Sequence, residues 1–298
     1  MGFVARARFD WQLRTRTLAL GERTLLMAIV NLTRDSFSGD GLASASLDAV
    51  VRIAVERLDG GADILDLGAE STRPGAEPLS ADAEQERLLP VLEAVLRERP
   101  AAVVSVDTYH ASTARAAARA GAEIVNDVSG LLWDEAMAAA VAEVRTGLVL
   151  MHTRGRPTEW RTQTPLAAQE VMSLVMDGLR ERLAAALAAG IARENIVLDP
   201  GFGFGKRGAE NFALLAGFSR LTELGHPVLA GLSRKSFLGE AIAKVGASER
   251  VNATMAANVA AILGGAHIVR VHDLQEDREA AAIADAVLER SLIPVLTA

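Results

Sequence analysis

Eight short apolar runs of the 298-residue chain each finish in polar or charged residues. In order, these ends carry Asn31, Asp66 with Glu70, Asp107, Asn126 with Asp127, His152, Asp199, Ser233 with Lys235, and Arg270 with His272. The set divides into two chemistries. Asp107, Asn126 and Asp199 suit a heterocycle with several N–H donors and ring acceptors, because a carboxylate takes two donated hydrogen bonds side by side. Ser233, Arg234, Lys235 and Ser236, together with Arg270 and His272, suit an anionic group such as a diphosphate. Asn31 has an amide oxygen able to hold a hard cation. Any one of these residues alone reads equally well as a cap, and Arg270 alone as a partner of Asp273 or Glu276. A polar end on every run is harder to assign to capping.

The elements that must position them are legible in the same runs: 25–31, 62–68, 103–108, 123–129, 147–152, 195–201, 227–233 and 267–272. Each is almost continuously hydrophobic rather than alternating, as parallel strands buried on both faces require. Between them lie segments with helical spacing. Ser46, Ser80 and Ser248 stand where N-caps belong, and Gly60, Gly190 and Gly264 where helices stop. Strand–helix alternation at this length predicts an α/β chain folded as a single-domain (β/α)8 barrel, in which all strand ends converge on one rim and the last two strands commonly bind phosphate. The competing open doubly wound sheet needs a glycine-rich turn after its first strand, where this chain has Asn31-Leu32-Thr33-Arg34-Asp35. Residues 1–24 precede the first strand and are expected to cover the barrel bottom, with 25–298 forming the barrel. Two connections, Thr33–Ala43 and Ser71–Leu79, are long enough to be functional loops.

Composition removes several classes. The chain has no cysteine, which excludes disulfide scaffolds, thiolate catalysis and cysteine-ligated metal. Its 31 Lys and Arg against 38 Asp and Glu give a net charge of −7, the wrong field for a non-specific nucleic-acid binder. No run reaches the ~20 apolar residues of a membrane-spanning helix, and the opening MGFVARARFDWQLRTRT lacks the hydrophobic core of a secretory signal. A soluble, cytoplasmic protein is expected. Gly201–Lys206 has neither the glycine spacing nor the Ser/Thr of a Walker loop and reads as a flexible rim loop. The histidines show no HExxH spacing, and the serines no GxSxG elbow. Met137, Met151, Met172 and Met176 read as core.

Taken in order, AIVNLTRDSFSGDG, GADILDLGAESTRPGAEPLS, VVSVDTYHASTARAAARAGAEIVNDVSG, LVLMHTRGRP, IVLDPGFGFGK, VLAGLSRKSFLG and ANVAAILGGAHIVRVHD resemble the successive signatures of the dihydropteroate synthase family, from about Leu25 to Asp273. STRPG and SRKSF together are specific; DPG alone is weak. The resemblance implies a pterin-binding TIM barrel. Its activity would be the condensation of 6-hydroxymethyl-7,8-dihydropterin diphosphate with p-aminobenzoate, giving 7,8-dihydropteroate and diphosphate for folate biosynthesis. Carried onto matching positions, it implies a pterin site of Asp107, Asn126, Asp199, Lys235 and Arg270, and a diphosphate site of Asn31, Arg270 and His272. Mg2+ would sit at Asn31. Around p-aminobenzoate it implies Phe37, Thr72, Arg73, Pro74, Phe204, Ser233 and Lys235.

In the family's dissociative displacement diphosphate leaves first, and the resemblance gives Asp35, Lys235 and Arg270 the catalytic roles, with Asp35 steadying the cation or the incoming amine. A homodimer and competition by sulfonamides are expected on the same ground. The sequence departs from the family at Arg34, where proline is usual; a freed φ and a restored N–H leave the shape of that loop open. Two other readings stay in view: a methyltetrahydrofolate-dependent corrinoid methyltransferase, which has no use for a diphosphate site, and a silent pterin-binding paralogue.

Overall fold

The structure is a computed structural model that describes residues 6–32, 46–70, 78–160, 162–244 and 246–291. The chain opens with an antiparallel hairpin, β1 (Phe9–Gln12) and β2 (Thr17–Leu20). Eight parallel strands follow: β3 (Leu25–Asn31), β4 (Ile64–Gly68), β5 (Val104–Asp107), β6 (Ile124–Asp127), β7 (Gly147–Met151), β8 (Ile196–Asp199), β9 (Leu229–Ala230) and β10 (Ile268–Val271). They pair in the order β8-β7-β6-β5-β4-β3-β10-β9. A parallel bridge between Leu198 and Val228, with Leu198 N–H donating to the Pro227 carbonyl at 2.9 Å, joins β8 to the start of β9. That contact closes the sheet into a barrel and removes the open-sheet alternative.

Helices α1 (Leu47–Asp59), α2 (Ala81–Glu98), α3 (Ala111–Ala120), α4 (Met137–Val144), α5 (Ala168–Ala188), α6 (Gly208–Ala216), α7 (Ser236–Ala241), α8 (Val251–Leu263) and α9 (Leu274–Ser291) form the outer layer. Ser46 caps α1 by accepting from Ala49 N–H at 3.3 Å, and Ser80 caps α2 from Ala83 N–H at 3.2 Å. Ser248 does not cap. It lies inside a 3-10 turn (Ala247–Arg250), in which the Glu249 carboxylate takes the Gly246 N–H, and α8 starts only after Arg250. Gly60 and Gly264 close α1 and α8, while Gly190 falls one residue beyond the C-cap of α5.

Two apolar layers result from strands buried on both faces. Outward residues such as Leu65, Leu67, Val106 and Leu150 pack under the helices, together with Met137, Met172 and Met176. Inward residues of the lower barrel (Met27, Ile64, Ile124, Val149, Val197, Leu229 and Ile268) pack on Trp11, Leu13 and Leu20 of the hairpin. Trp11 Nε1 donates to the Asn195 carbonyl at 2.7 Å, fixing the hairpin across the bottom. With the lower end sealed by side chains, polar strand ends can open only onto the other rim. Among the described residues no helix is long and apolar enough to cross a membrane.

Candidate active site

Arg270, near the end of β10, points into the barrel and reaches two neighbouring strands. Its Nε donates to Asp66 Oδ2 of β4 at 2.6 Å and its Nη2 to Asp107 Oδ2 of β5 at 2.7 Å. Asn126 of β6 donates Nδ2 to the same Asp66 oxygen at 3.1 Å. Asp66 is fully buried, and its Oδ1 has no partner among the described residues. It is therefore the anchor of the group, while Asp107 and the carbonyl side of Asn126 stand nearer the mouth. Burial pushes Asp107 up to about 7, helped by Asp66, Glu84 and Glu70 and opposed by Arg270. Arg270 is shared with Asp66, so its pull on Asp107 only partly offsets burial. Burial works against the charge on Arg270, yet Asp66 and Asp107 together raise its pKa further.

Across the mouth, Asp199 ends β8 and accepts the Gly201 N–H at 2.7 Å. Burial raises its pKa, and that bond, Lys235, Arg270 and Lys206 oppose the rise. The turn after β8 bends back on itself through left-handed glycines. At Gly201, φ is 68° and a Cβ would lie 2.0 Å from the His152 carbonyl oxygen; at Gly205, φ is 71° and a Cβ would lie 2.6 Å from Arg154 Cβ. No other residue fits either position without displacing backbone. The turn thereby presents Phe204, whose ring meets Trp160 edge-on with centroids 5.0 Å apart and carries Lys235 Nζ 4.2 Å above its centre.

Ser233 and His272 close the remaining side. His272 N–H donates to Ser233 Oγ at 3.1 Å, and the same hydroxyl lies 2.9 Å from His272 Nδ1. Burial, then Arg270, Arg234, Arg57 and Lys235, hold the His272 pKa well below the usual histidine value, so the ring is neutral at pH 7. The backbone between Ser233 and Lys235 is left-handed at Arg234, with φ 56°. Arg234 is held by Asp273 through Nε–Oδ2 at 2.9 Å and Nη2–Oδ1 at 2.5 Å.

The chain that builds this rim is similar over most of its length to known proteins. The model of the pterin binding enzymes aligns with residues 27–272. Dihydropteroate synthase of Clostridium beijerinckii is 40% identical over 272 residues, covering 91% of this chain and 97% of that protein. The chain belongs to the pterin-binding enzyme family. The mitochondrial folate synthesis bifunctional protein of pea is 39% identical over 98% of this chain, which spans 57% of the pea protein's length. The Xanthomonas albilineans dihydropteroate synthase with 4-aminobenzoic acid superposes with a TM-score of 0.84 at 39% identity, covering 97% of this chain and all of that one.

Within this pterin-binding barrel, the structure brings together Asp107, Asn126 and Arg270, sets Ser233 against His272, and places Lys235 over Phe204. Asn31 ends β3 on the same rim, in register with Gly68. Arg270 pairs with Asp66 and Asp107, not with Asp273 or Glu276; Asp273 is taken by Arg234. Several polar strand ends are local structure. Asp127 accepts Ser129 and Leu131 N–H groups at 2.8 and 2.7 Å and so shapes its own turn. Glu70 takes the Tyr109 hydroxyl at 2.7 Å and Leu79 N–H at 3.1 Å.

Asp35, Phe37, Thr72, Arg73 and Pro74, with Arg34, lie outside the described residues. The expectation of a flexible loop at Gly201–Lys206 is corrected, since Phe202, Phe204 and Lys206 are all buried there. Sequence reasoning also missed Asp66 as the anchor of Arg270, and Lys206. The available signal for Lys206 was a lysine in a glycine–phenylalanine run too apolar for an exposed loop.

Proposed function

We infer that this chain is a transferase of folate synthesis, a dihydropteroate synthase that condenses 6-hydroxymethyl-7,8-dihydropterin diphosphate with p-aminobenzoate. The observation that carries the reading is the Arg270 bridge: one guanidinium holding Asp66 and Asp107, beside Asn126 and opposite Asp199, within a family whose members bind pterins. A pterin's amino-pyrimidine edge donates several hydrogen bonds, and Asp199, Asp107 and the Asn126 carbonyl are acceptors of that kind. Lys235 would donate to a ring acceptor while resting on Phe204. The 4-aminobenzoic acid named with the Xanthomonas enzyme motivates an aromatic-acid subsite along Phe204, Lys235 and Ser233. Phe37, Thr72, Arg73 and Pro74 join it on the sequence resemblance.

The chemistry asked of these residues is electrostatic. Departing diphosphate leaves positive charge on the pterin methylene, and fixed charges aimed at both developing charges lower the barrier. Arg270 would face the leaving group; His272, neutral before binding, becomes a better proton holder once an anion stands beside it. Asp35 would steady the cation or the incoming amine. No covalent enzyme intermediate is needed. Among the described residues no three His, Asp or Glu side chains are arranged to hold a metal. On the family resemblance, Mg2+ would be held by the amide oxygen of Asn31, at the end of β3, and by the substrate's own phosphate oxygens, since Mg2+ commonly keeps water and phosphate ligands. When bound, the ion would neutralise diphosphate charge. A homodimer is proposed on the same family resemblance, with light scattering as its check. The reading is tested by diphosphate release from the pterin substrate with and without p-aminobenzoate: release that depends on the amine and yields dihydropteroate supports it, and release indifferent to the amine refutes it.

A further inference from the structure

Lys206 has no role in the chemistry assigned above, yet it is only 4% exposed. Its Nζ lies 3.0 Å from His152 Nδ1 and donates to the carbonyls of Phe204 at 3.1 Å and His152 at 3.4 Å. None of the three is a carboxylate, and burial pushes the Lys206 pKa down to about 7, with Asp199 the main group opposing the fall. Burial first, then Lys206 and Arg154, hold the His152 pKa well below the ordinary value, which agrees with a neutral ring. A cation buried on neutral acceptors is costly to keep, and a methionine of similar length would fill the space without that cost.

The purpose is visible in what Nζ ties together. His152 directly follows β7, and Phe204 sits in the turn after β8; the ammonium joins the two. Asn211 clamps the same turn on both sides of Phe204, accepting from Gly203 N–H at 2.7 Å and donating to the Lys206 carbonyl at 3.0 Å. Asn211 fixes the path of the backbone, whereas Lys206 bonds the Phe204 carbonyl at 3.1 Å, beside a longer bond of 3.4 Å from Arg154 N–H. With that carbonyl fixed, the ring is held between Trp160 and Lys235 Nζ. We propose that Lys206 is a positioning residue for the aromatic substrate: by tying Phe204 to the end of β7 it holds the ring where p-aminobenzoate binds. This rests on the reading of Phe204 and Lys235 given under the proposed function.

Removing the ammonium has opposed effects on stability, because a buried charge is relieved while three acceptors lose their donor. At the Phe204 carbonyl only the longer bond from Arg154 N–H would remain. Lys206→Met is expected to melt within about 3 °C of the parent, while the KM for p-aminobenzoate rises about tenfold or more and kcat and the KM for the pterin diphosphate change less than about threefold. Lys206→Gln, whose amide donates two bonds, is expected to show a smaller rise, and it decides the matter if the methionine variant does not fold. Phe204→Ala is the control for the underlying reading. If Phe204→Ala raises the p-aminobenzoate KM and both Lys206 variants leave it at the parent value, Lys206 is not a positioning residue. If Phe204→Ala leaves that KM unchanged, the assignment of the aromatic wall itself is wrong.

Discussion

Replacing Asp66 by asparagine keeps the outline of the side chain and removes its charge, which isolates what the carboxylate does for Arg270. Asp66 is fully buried and takes two donors on one oxygen, Arg270 Nε at 2.6 Å and Asn126 Nδ2 at 3.1 Å. Truncating one partner of a buried ion pair costs about 3–5 kcal/mol. Here Asp107 still holds Arg270 Nη2, so Arg270 is not stranded. The loss is then nearer one charged hydrogen bond plus one mismatched donor, about 2–4 kcal/mol. At about 2 °C per kcal/mol for a chain of this length, thermal unfolding should move down by several degrees. Asp66 is also one of the charges holding Asp107 up at about 7. In the asparagine variant Asp107 should titrate lower, because Arg270 then serves it alone; carboxyl carbon NMR across pH 4–8 reads this directly. Inorganic diphosphate, measured by calorimetry, should bind about tenfold more weakly as the guanidinium loses its bracing, about 1.4 kcal/mol. An unchanged melting temperature together with an unchanged Asp107 titration would refute the shared-guanidinium account.

Asp199→Asn turns part of an acceptor edge into a donor beside the Gly201 N–H bond; pterin binding by calorimetry should weaken about tenfold, from a buried mismatch of about 1–3 kcal/mol, and unchanged affinity removes Asp199 from the site. His272 starts below the usual histidine pKa, and an arriving anion raises it. Diphosphate binding should therefore take up protons and tighten as pH falls, which titrations in buffers of different ionisation enthalpy detect; no uptake sinks the assignment. At Arg234, whose left-handed φ is 56°, Arg234→Ala and Arg234→Gly lose the Asp273 pair equally, but glycine adopts the backbone freely, so the glycine variant should be more stable by about 1 kcal/mol; equal stability means the strain is not there. Sulfonamides should compete with p-aminobenzoate in steady-state assays, since Phe37, Thr72, Pro74 and Ser233 match the family pattern; normal turnover at saturating drug would mean that the Arg34 loop is reshaped.

The barrel is legible because its strands are buried on both faces, so burial writes eight almost continuously apolar runs into the sequence. The length of a run reports burial, not pairing: 227–232 is apolar, yet only Leu229–Ala230 pairs as a strand, with Val228 supplying the bridge that closes the barrel. The hairpin at residues 9–20 leaves no such trace, because its strands are only four residues long and each buries a single residue, Trp11 and Leu20. The polar rim is legible as composition and illegible as pairing. Arg270 has Asp273 and Glu276 close by in sequence, yet its partners are 204 and 163 residues away, brought to it because β10, β4 and β5 share one interior. Asp273, left over, goes to Arg234 and pins the turn between Ser233 and Lys235. Sequence proximity favours pairing only among groups that share a face, and in a closed barrel the inward face of one strand looks at strands from the far end of the chain. The same geometry explains why the cationic side of the rim does not read as freely cationic: Arg270 is shared by two carboxylates, His272 is neutral, and the positive field reaches full strength only when an anionic substrate competes for those groups.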